Sequence, residues 1–443
     1  MSIEVKTTHI LYGAFFVVAT PIMLVVWASN AQVSLPVYGK PFIGYIVFGF
    51  GVILTVLGLG ELLFKGRGLP LKLAPTFQFA DAGAYAAMPH PIYSGFSIAV
   101  WGMAMAVQSA SGLWLITPMV VLGCVAVVYG YERPFLRKTF PERVKKSRIP
   151  LPDFYTKTLR YIDSKINNWR ELKVGSVRIL SHGIYAGMAA MVGLLLFAFL
   201  HPTATIGEIF LLILFAVVGS ITWGQFIEAR KGVLRPFGYF GAVLGILLAV
   251  ETIPGISQFY TLAALAVAMP FTQSLGRLRC LIHGCCHGHV CASNIGIHYH
   301  TPESAAVKAG LVGLSIHPTQ LYSLVINFFV GTMLLITWLT GSTAANIVGT
   351  YLIATGCGRF IEEAYRGEPQ TPHVFGLPLY QRLAIIMVIA GAVITCIPSG
   401  PVGYAFSLPS FPSLLMALLS LPIIWFVTGL DFPKSTSRYS RLT

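Results

Sequence analysis

The sequence predicts an all-α polytopic integral membrane protein with about twelve transmembrane helices in two membrane modules. Three observations carry this. Hydrophobic residues fill 55% of the 443 positions and charged residues only 10%. Apolar runs long enough to cross roughly 30 Å of hydrocarbon recur from end to end. These runs are continuous rather than alternating, which excludes a transmembrane barrel.

Taken in order, spans are expected at 9–29, 41–63, 92–108, 112–131, 181–200, 207–227, 237–255, 258–275, 319–340, 345–365, 379–398 and 411–430. The first has one lysine ahead of it and no small-residue cleavage site, so it reads as a retained span rather than a signal peptide. A net charge of +14 would suggest nucleic acid in a soluble protein, but 13 of the 30 Lys and Arg residues lie between Arg133 and Arg178. That distribution marks a cytoplasmic segment, including the cluster Arg143, Lys145, Lys146 and Arg148, and no nucleic-acid partner is expected. The division is therefore a first module over 1–152, a basic cytoplasmic linker over 153–178 and a second module over 179–443.

Four spans ahead of a cytoplasmic linker place the N-terminus in the cytoplasm. Lys65, Arg67 and Lys72 fall on that side, and the uncharged Gln108–Gly112 turn falls on the other. The expected location is a bacterial-type inner (plasma) membrane, crossed many times.

Polar chemistry is concentrated in a few stretches. Charge at the centre of a membrane helix costs roughly 2.5–3.5 kcal/mol per residue, so it marks function. Gly276–Gly288 (GRLRCLIHGCCHG), His317–Tyr322 (HPTQLY) and Gly358–Arg366 (GRFIEEAYR) hold most of it. Arg359, Glu363 and Arg366 recur at helical spacing, with Glu362 three residues from Arg359. A guanidinium fork suits phosphate, so Arg359 with Arg277 would clamp a phospholipid headgroup; the alternative is an ion pair that locks helices together. Cys286, Cys291, His287 and His289 suggest a metal set, but adjacent Cys285 and Cys286 lack the usual ligand spacing and no metal is expected. In the first module, prolines on either side of His90 fix an extended helix entry, leaving His90 and Tyr93 at the membrane lip to which Glu132 returns. A carboxylate there suits a diol or a sulfonium cation.

Residues 174–400 resemble prolipoprotein diacylglyceryl transferases. The family's Gly-Arg-x-Gly-x-x-x-Asn-Gly-x-x-x-Gly signature is matched by Gly276, Arg277, Gly284 and Gly288, and its His-Pro-x-Gln-Leu-Tyr by His317, Pro318, Gln320, Leu321 and Tyr322. Its later Arg, Glu and Arg are matched by Arg359, Glu363 and Arg366, and its Gly-Leu-x-x-x-Gln by the run ending in Gln381. The resemblance implies catalytic roles for Arg277, Arg359, His317 and Glu363, and substrate contacts at Gly288, Gln320, Tyr322, Arg366 and Gln381. The departures fall on the chemistry. Phe240 stands where the family has a His, Arg279 replaces a Gly, His283 replaces an Asn, and His182 replaces a Tyr. A shifted base at His283 or His182 is expected, with Arg279 and His182 at the substrate.

Residues 41–152 resemble the isoprenylcysteine carboxyl methyltransferase and phospholipid methyltransferase group. Gly83, Tyr85, His90, Pro91, Tyr93, Gly95, Glu132 and Leu136 match its pattern, while Pro89 replaces an Arg and Arg133 a second Glu. The resemblance implies S-adenosylmethionine held by Tyr85, His90, Tyr93, Gly95 and Glu132. The expected function is transfer of a diacylglyceryl group from a phosphatidylglycerol-like lipid to a lipoprotein or lipid acceptor, coupled to methylation. The reading from another class is a non-catalytic lipid-binding or metal-handling membrane protein.

Overall fold

The structure, a computed structural model, describes residues 14–31, 33, 35–64, 79, 83–141, 153–228, 238–253, 258–292, 295–367, 373–374, 377–403 and 408–431. The clusters Lys65, Arg67, Lys72 and Arg143 to Arg148 lie outside them. Each expected span coincides with helix over most of its described length. Among the described residues, six helices are long and apolar enough to cross a membrane: Pro41–Phe64, Gly112–Thr139, Ser181–Leu200, Ile206–Ile227, Thr319–Leu339 and Phe411–Gly429. Phe240–Thr252 and Leu379–Ile394 are apolar but shorter. Their outward faces are oily, with residues such as Phe42, Ile53, Phe210, Phe329 and Leu418 exposed, as lipid solvation permits.

The chain forms two compact units that do not follow chain order. The first joins Met1–Pro150 with Leu352–Ala364 and Gln381–Pro398. Its central crossing sets Pro41–Phe64 against Pro91–Ala106. Gly44, Gly51 and Gly58 repeat every seven residues on one helix, Gly95 and Gly102 on the other, and the backbones meet there. A Cβ at Gly95 would lie 2.6 Å from the Thr55 amide nitrogen, and one at Gly51 would strike the Ala99 amide nitrogen. Small residues allow the close approach that packs helices in lipid. Gln381, expected at a substrate, is buried here and donates to the backbone oxygens of Gly130 (3.0 Å) and Phe360 (3.1 Å).

The second unit joins Leu151–Tyr351, Tyr365–Tyr380 and Ser399–Thr443. The polar 153–178 stretch is folded. Its helix Asp153–Ile166 buries Leu159 and Ile166 against Leu281, Ile297, Tyr299, Ala306 and Ile316. Tyr299 donates to the Leu281 carbonyl at 2.6 Å, and burial pushes its phenol pKa up, keeping it a donor. A hairpin follows, Glu171–Val174 with Val177–Leu180, and Leu430–Asp431 adds a third antiparallel strand. Arg178 pairs with buried Asp431 and lies 3.3 Å from Glu171, so some of the segment's cations are structural partners.

Candidate functional site

In the second unit backbone pairing brings the separate motifs together. The helix Gln258–His283 ends at Gly284, whose φ of +76° suits glycine and whose amide donates to the Cys280 carbonyl at 2.9 Å. Beyond this turn, residues 287–289 lie between two other segments. The Gly288 amide donates to the His317 carbonyl (3.1 Å) and the His317 amide to the His289 carbonyl (2.9 Å). On the other edge, the His289 amide donates to the Tyr365 carbonyl (2.9 Å) and the Gly367 amide to the His287 carbonyl (3.0 Å). A Cβ on Gly288 would come within 2.5 Å of the His317 backbone oxygen, so only glycine fits between the edges. Thr319 and Gln320 complete the join by donating to the carbonyls of Cys286 (2.6 Å) and Cys285 (2.7 Å).

This join gathers Arg277, Arg279, His283, Gly288, His317, Gln320, Tyr322 and Arg366 in one unit. Arg277 donates from Nε to the Ser323 hydroxyl at 2.9 Å. Arg279 donates from Nη2 to the Thr428 carbonyl at 3.1 Å, while its buried Nε has no hydrogen-bond partner among the described residues. The His317 Nδ1 and the Tyr322 hydroxyl are 3.0 Å apart, and the His317 ring stands edge-on to Tyr365 at 4.9 Å.

His182 and His283, the two expected bases, are brought together. Each is only 3% exposed, and their ring centroids are 5.5 Å apart. Trp169 closes the group, 4.7 Å from His182 and 6.1 Å from His283. Among the described residues, none of the four ring nitrogens has a hydrogen-bond partner. Buried polar atoms are nearly always bonded, so these four nitrogens are candidates for contact with water or a substrate. By contrast, Phe240 stacks on Tyr380 with centroids 5.3 Å apart and planes 14° apart, and it leans on Trp223. The polar role expected at that position is replaced by packing.

Cysteines differ from expectation. Cys291 sits beside Ser315, 3.7 Å from its hydroxyl, whereas Cys280, Cys285 and Cys286 bring their three Sγ atoms within 4.8 Å of one another. Hydrogen bonds from the Cys280 and Cys285 thiols, followed by the charges of Arg366 and Arg277, hold the Cys286 thiol well below its ordinary pKa.

The first unit holds the remaining candidates. His90, at φ +58°, lies with Nδ1 3.3 Å from Glu132 and accepts from Arg133 Nε at 3.4 Å. That pairing assigns the ring hydrogen to Nδ1. Arg133 also lies over the Tyr129 ring at 4.5 Å, and the Tyr93 ring is 6.4 Å from His90. The Tyr85 amide is within 3.5 Å of Glu61, and Gly83 at φ +58° leaves the space that the Glu61 carboxylate fills. Arg359 donates to Glu362 (2.9 Å) and Glu363 (2.6 Å) on its own helix. Gly95 and Gln381 are placed in the helix packing already described.

Sequence reasoning missed Trp169, Ser323 and Glu61. Glu61 carried a signal, because it is the single acid in an apolar span. Trp169 and Ser323 carried none.

Residues 171–397 match the family described as prolipoprotein diacylglyceryl transferase, and residues 40–143 match the one described as phospholipid methyltransferase. The chain belongs to the prolipoprotein diacylglyceryl transferase family. Similar proteins include phosphatidylglycerol–prolipoprotein diacylglyceryl transferase 2 of Clostridium perfringens, 27% identical over 179 residues, covering 39% of this chain and 68% of the relative. The Clostridium tetani enzyme is 25% identical over 200 residues, 42% of this chain and 78% of its own length. The Chlorobaculum tepidum enzyme is 29% identical over 168 residues, 36% and 54% respectively. As a member of this transferase family, the chain has its family match over the unit that holds the paired histidines and over the helices carrying Arg359 and Gln381.

The first-unit residues fit S-adenosylmethionine by donor chemistry. Glu61 lies at the Tyr85 amide and Glu132 at the His90 ring, so carboxylates of the kind a sulfonium cation would need stand at both ends of the 83–90 segment.

Proposed function

We propose that this chain transfers a diacylglyceryl group from a phosphatidylglycerol-like lipid to the thiol of a lipoprotein or to a lipid-linked acceptor. The observation that carries this reading is the buried His182–His283 pair with its unbonded ring nitrogens, in a unit that also supplies Arg277, Arg279 and Arg366. The activities for which the relatives are named support the substrate pair.

In this reading Arg277 and Arg279 hold the lipid phosphate, with Arg366 on the adjoining edge. Guanidinium forks are suited to phosphate oxygens and stabilise the charge that builds on the leaving group. The acceptor thiol gives its proton to the imidazole pair, and sulfur attacks the glyceryl carbon. The carbon–oxygen bond to phosphate breaks, its electron pair stays with phosphate, and glycerol phosphate leaves. His317 and Tyr322 orient the acceptor side, while Gly288 and Gln320 keep the edges in place. Arg359 serves as a positioning residue, because its guanidinium already holds Glu362 and Glu363.

The first unit is assigned a methyltransferase role acting on a lipid or lipid-linked product. S-adenosylmethionine, when bound, supplies the activated methyl group. Glu61 and Glu132 supply compensating charge, Tyr85 and Tyr93 line the approach, and His90 is oriented by Glu132. The protein is assigned to a bacterial-type inner membrane with its N-terminus in the cytoplasm, on the distribution of Lys and Arg.

Mass spectrometry of lipids and lipoproteins from cells carrying wild type, His283→Ala and His90→Ala tests both assignments. The expected result is loss of diacylglyceryl-modified acceptor in the first variant and loss of methylated species alone in the second. Unchanged products in both variants overturn the reading in favour of a lipid-binding protein, which the packed Phe240 would suit.

A further inference from the structure

We propose that Cys280, Cys285 and Cys286 form a site for one thiophilic divalent ion of the zinc class. The inference stands apart from the transferase reading, since it needs neither lipid nor acceptor.

Adjacent Cys285 and Cys286 lack the sequence spacing usual for two ligands of one metal. Two features of the backbone remove that objection. Cys280 and Cys285 are separated by four residues, which is within the usual ligand spacing. The chain between them turns back at Gly284 (φ +76°), and Cys286 itself takes φ +57°, a left-handed conformation uncommon outside glycine, asparagine and aspartate. A single left-handed residue reverses the normal alternation of neighbouring side chains, so both adjacent sulfurs reach the side occupied by Cys280. The three Sγ atoms accordingly lie within 4.8 Å of one another, and none of the three is in a disulfide. Two sulfurs bound to one tetrahedral zinc at about 2.3 Å would be about 3.8 Å apart, so the cluster needs only a small contraction.

The turn is also built to hold its shape. Thr319 Oγ1 donates to the Cys286 carbonyl at 2.6 Å, Gln320 Nε2 to the Cys285 carbonyl at 2.7 Å, and the Gly284 amide to the Cys280 carbonyl at 2.9 Å. The carbonyl of each sulfur-bearing residue is thus fixed by a hydrogen bond, as outer-sphere partners fix metal ligands elsewhere. Strain at a non-glycine left-handed residue persists only when the surroundings over-determine it, and here they do. Three protein thiolates with zinc leave one position for water or an external thiol, the open arrangement of reactive rather than closed structural sites.

The experiment uses the full chain purified in detergent with reductant and loaded with Zn2+ or Co2+. Elemental analysis should find one zinc per chain in wild type and in Cys291→Ser, and its loss in Cys280→Ser and Cys286→Ser. Cobalt should give an intense near-ultraviolet thiolate band in the first pair alone. Zinc retained equally by the Cys280→Ser and Cys286→Ser variants, or wild type that holds no more than they do, overturns the proposal. Should those variants fail to elute as monodisperse protein, zinc-edge X-ray absorption of the wild type decides. A first shell with three sulfurs at about 2.3 Å supports the site, and one of nitrogen and oxygen alone overturns it. Because metal content is read without turnover, failure of the transferase reading would leave this result unchanged.

Discussion

The His182–His283 pair and the Arg359–Glu362–Glu363 fork are both buried, yet they treat their polar atoms in opposite ways. The fork closes one guanidinium on two carboxylates at 2.9 and 2.6 Å, while the pair leaves four ring nitrogens unbonded among the described residues. Burying polar atoms without partners is costly, so the pair is held by surrounding structure at some expense to stability. Trp169 and the helix end at Gly284 supply that structure. A satisfied fork needs no ligand to explain it; an unsatisfied pair does. The comparison therefore supports the proposal that the histidines carry the chemistry and Arg359 positions, although the two look equally functional in sequence.

The largest effect should come from the histidines. Replacing both, as His182→Ala with His283→Ala, removes the proposed proton acceptor and should slow product formation by roughly 10²- to 10⁴-fold. Initial rates of acceptor modification, read by mass spectrometry on protein that elutes as one species, check this. Activity within tenfold of wild type would break the comparison by making the pair a packing feature.

Next is Arg359→Ala, which removes the guanidinium paired with Glu362 and Glu363 and should cost about 3–5 kcal/mol of stability. The triple change Arg359→Met, Glu362→Gln, Glu363→Gln should recover most of it, because no charge is left unpaired. Thermal unfolding in detergent gives the order. If Arg359→Ala instead melts normally and lipid turnover is lost, the fork contacts substrate and the assignment reverses.

A smaller loss is expected from Gly288→Ala. The added methyl meets the His317 backbone at 2.5 Å, and forcing it in should cost about 1–3 kcal/mol. It should also part the edges that bring His317 and Arg366 into one unit. Unfolding and turnover should therefore fall together, and a change in turnover alone would argue for a direct substrate contact at Gly288.

How much of this was legible in the sequence follows from where the forces lie. Continuous apolar runs announce helices because hydrocarbon demands them, and the positions of the spans followed. The Arg359 fork was visible as i+3 and i+4 spacing, but spacing alone cannot say whether a guanidinium serves its own acids or a phosphate. The meeting of the Gly288, His317 and Arg366 segments was invisible, since backbone amides and carbonyls make it and every residue has those. The folded 153–178 stretch was hidden for a related reason. Its buried anchors, Leu159 and Ile166, are few in a charged stretch, and they meet partners more than 110 residues away. The cysteine cluster depended on one left-handed residue, Cys286, which no composition or periodicity encodes.

The least effect, and the sharpest test of where the base has gone, is expected from Phe240→His. The family pattern that this chain resembles has a histidine at the position of Phe240, so the change supplies that pattern's side chain. In this chain, however, the site has been rebuilt for an aromatic ring: Phe240 is 9% exposed and lies parallel to Tyr380 at 5.3 Å. An imidazole there loses part of that stacking, worth about 0.5–1.5 kcal/mol, and gains no partner built to orient it. Turnover should stay level, with a slightly lower unfolding temperature. The informative variant combines Phe240→His with the double histidine replacement. If proton acceptance has moved to His182 and His283, the introduced histidine should recover little of the lost rate, because it lacks the support that fixes tautomer and direction. Substantial rescue would mean that position 240 still faces the reacting thiol and that the packed aromatic stack can give way to it.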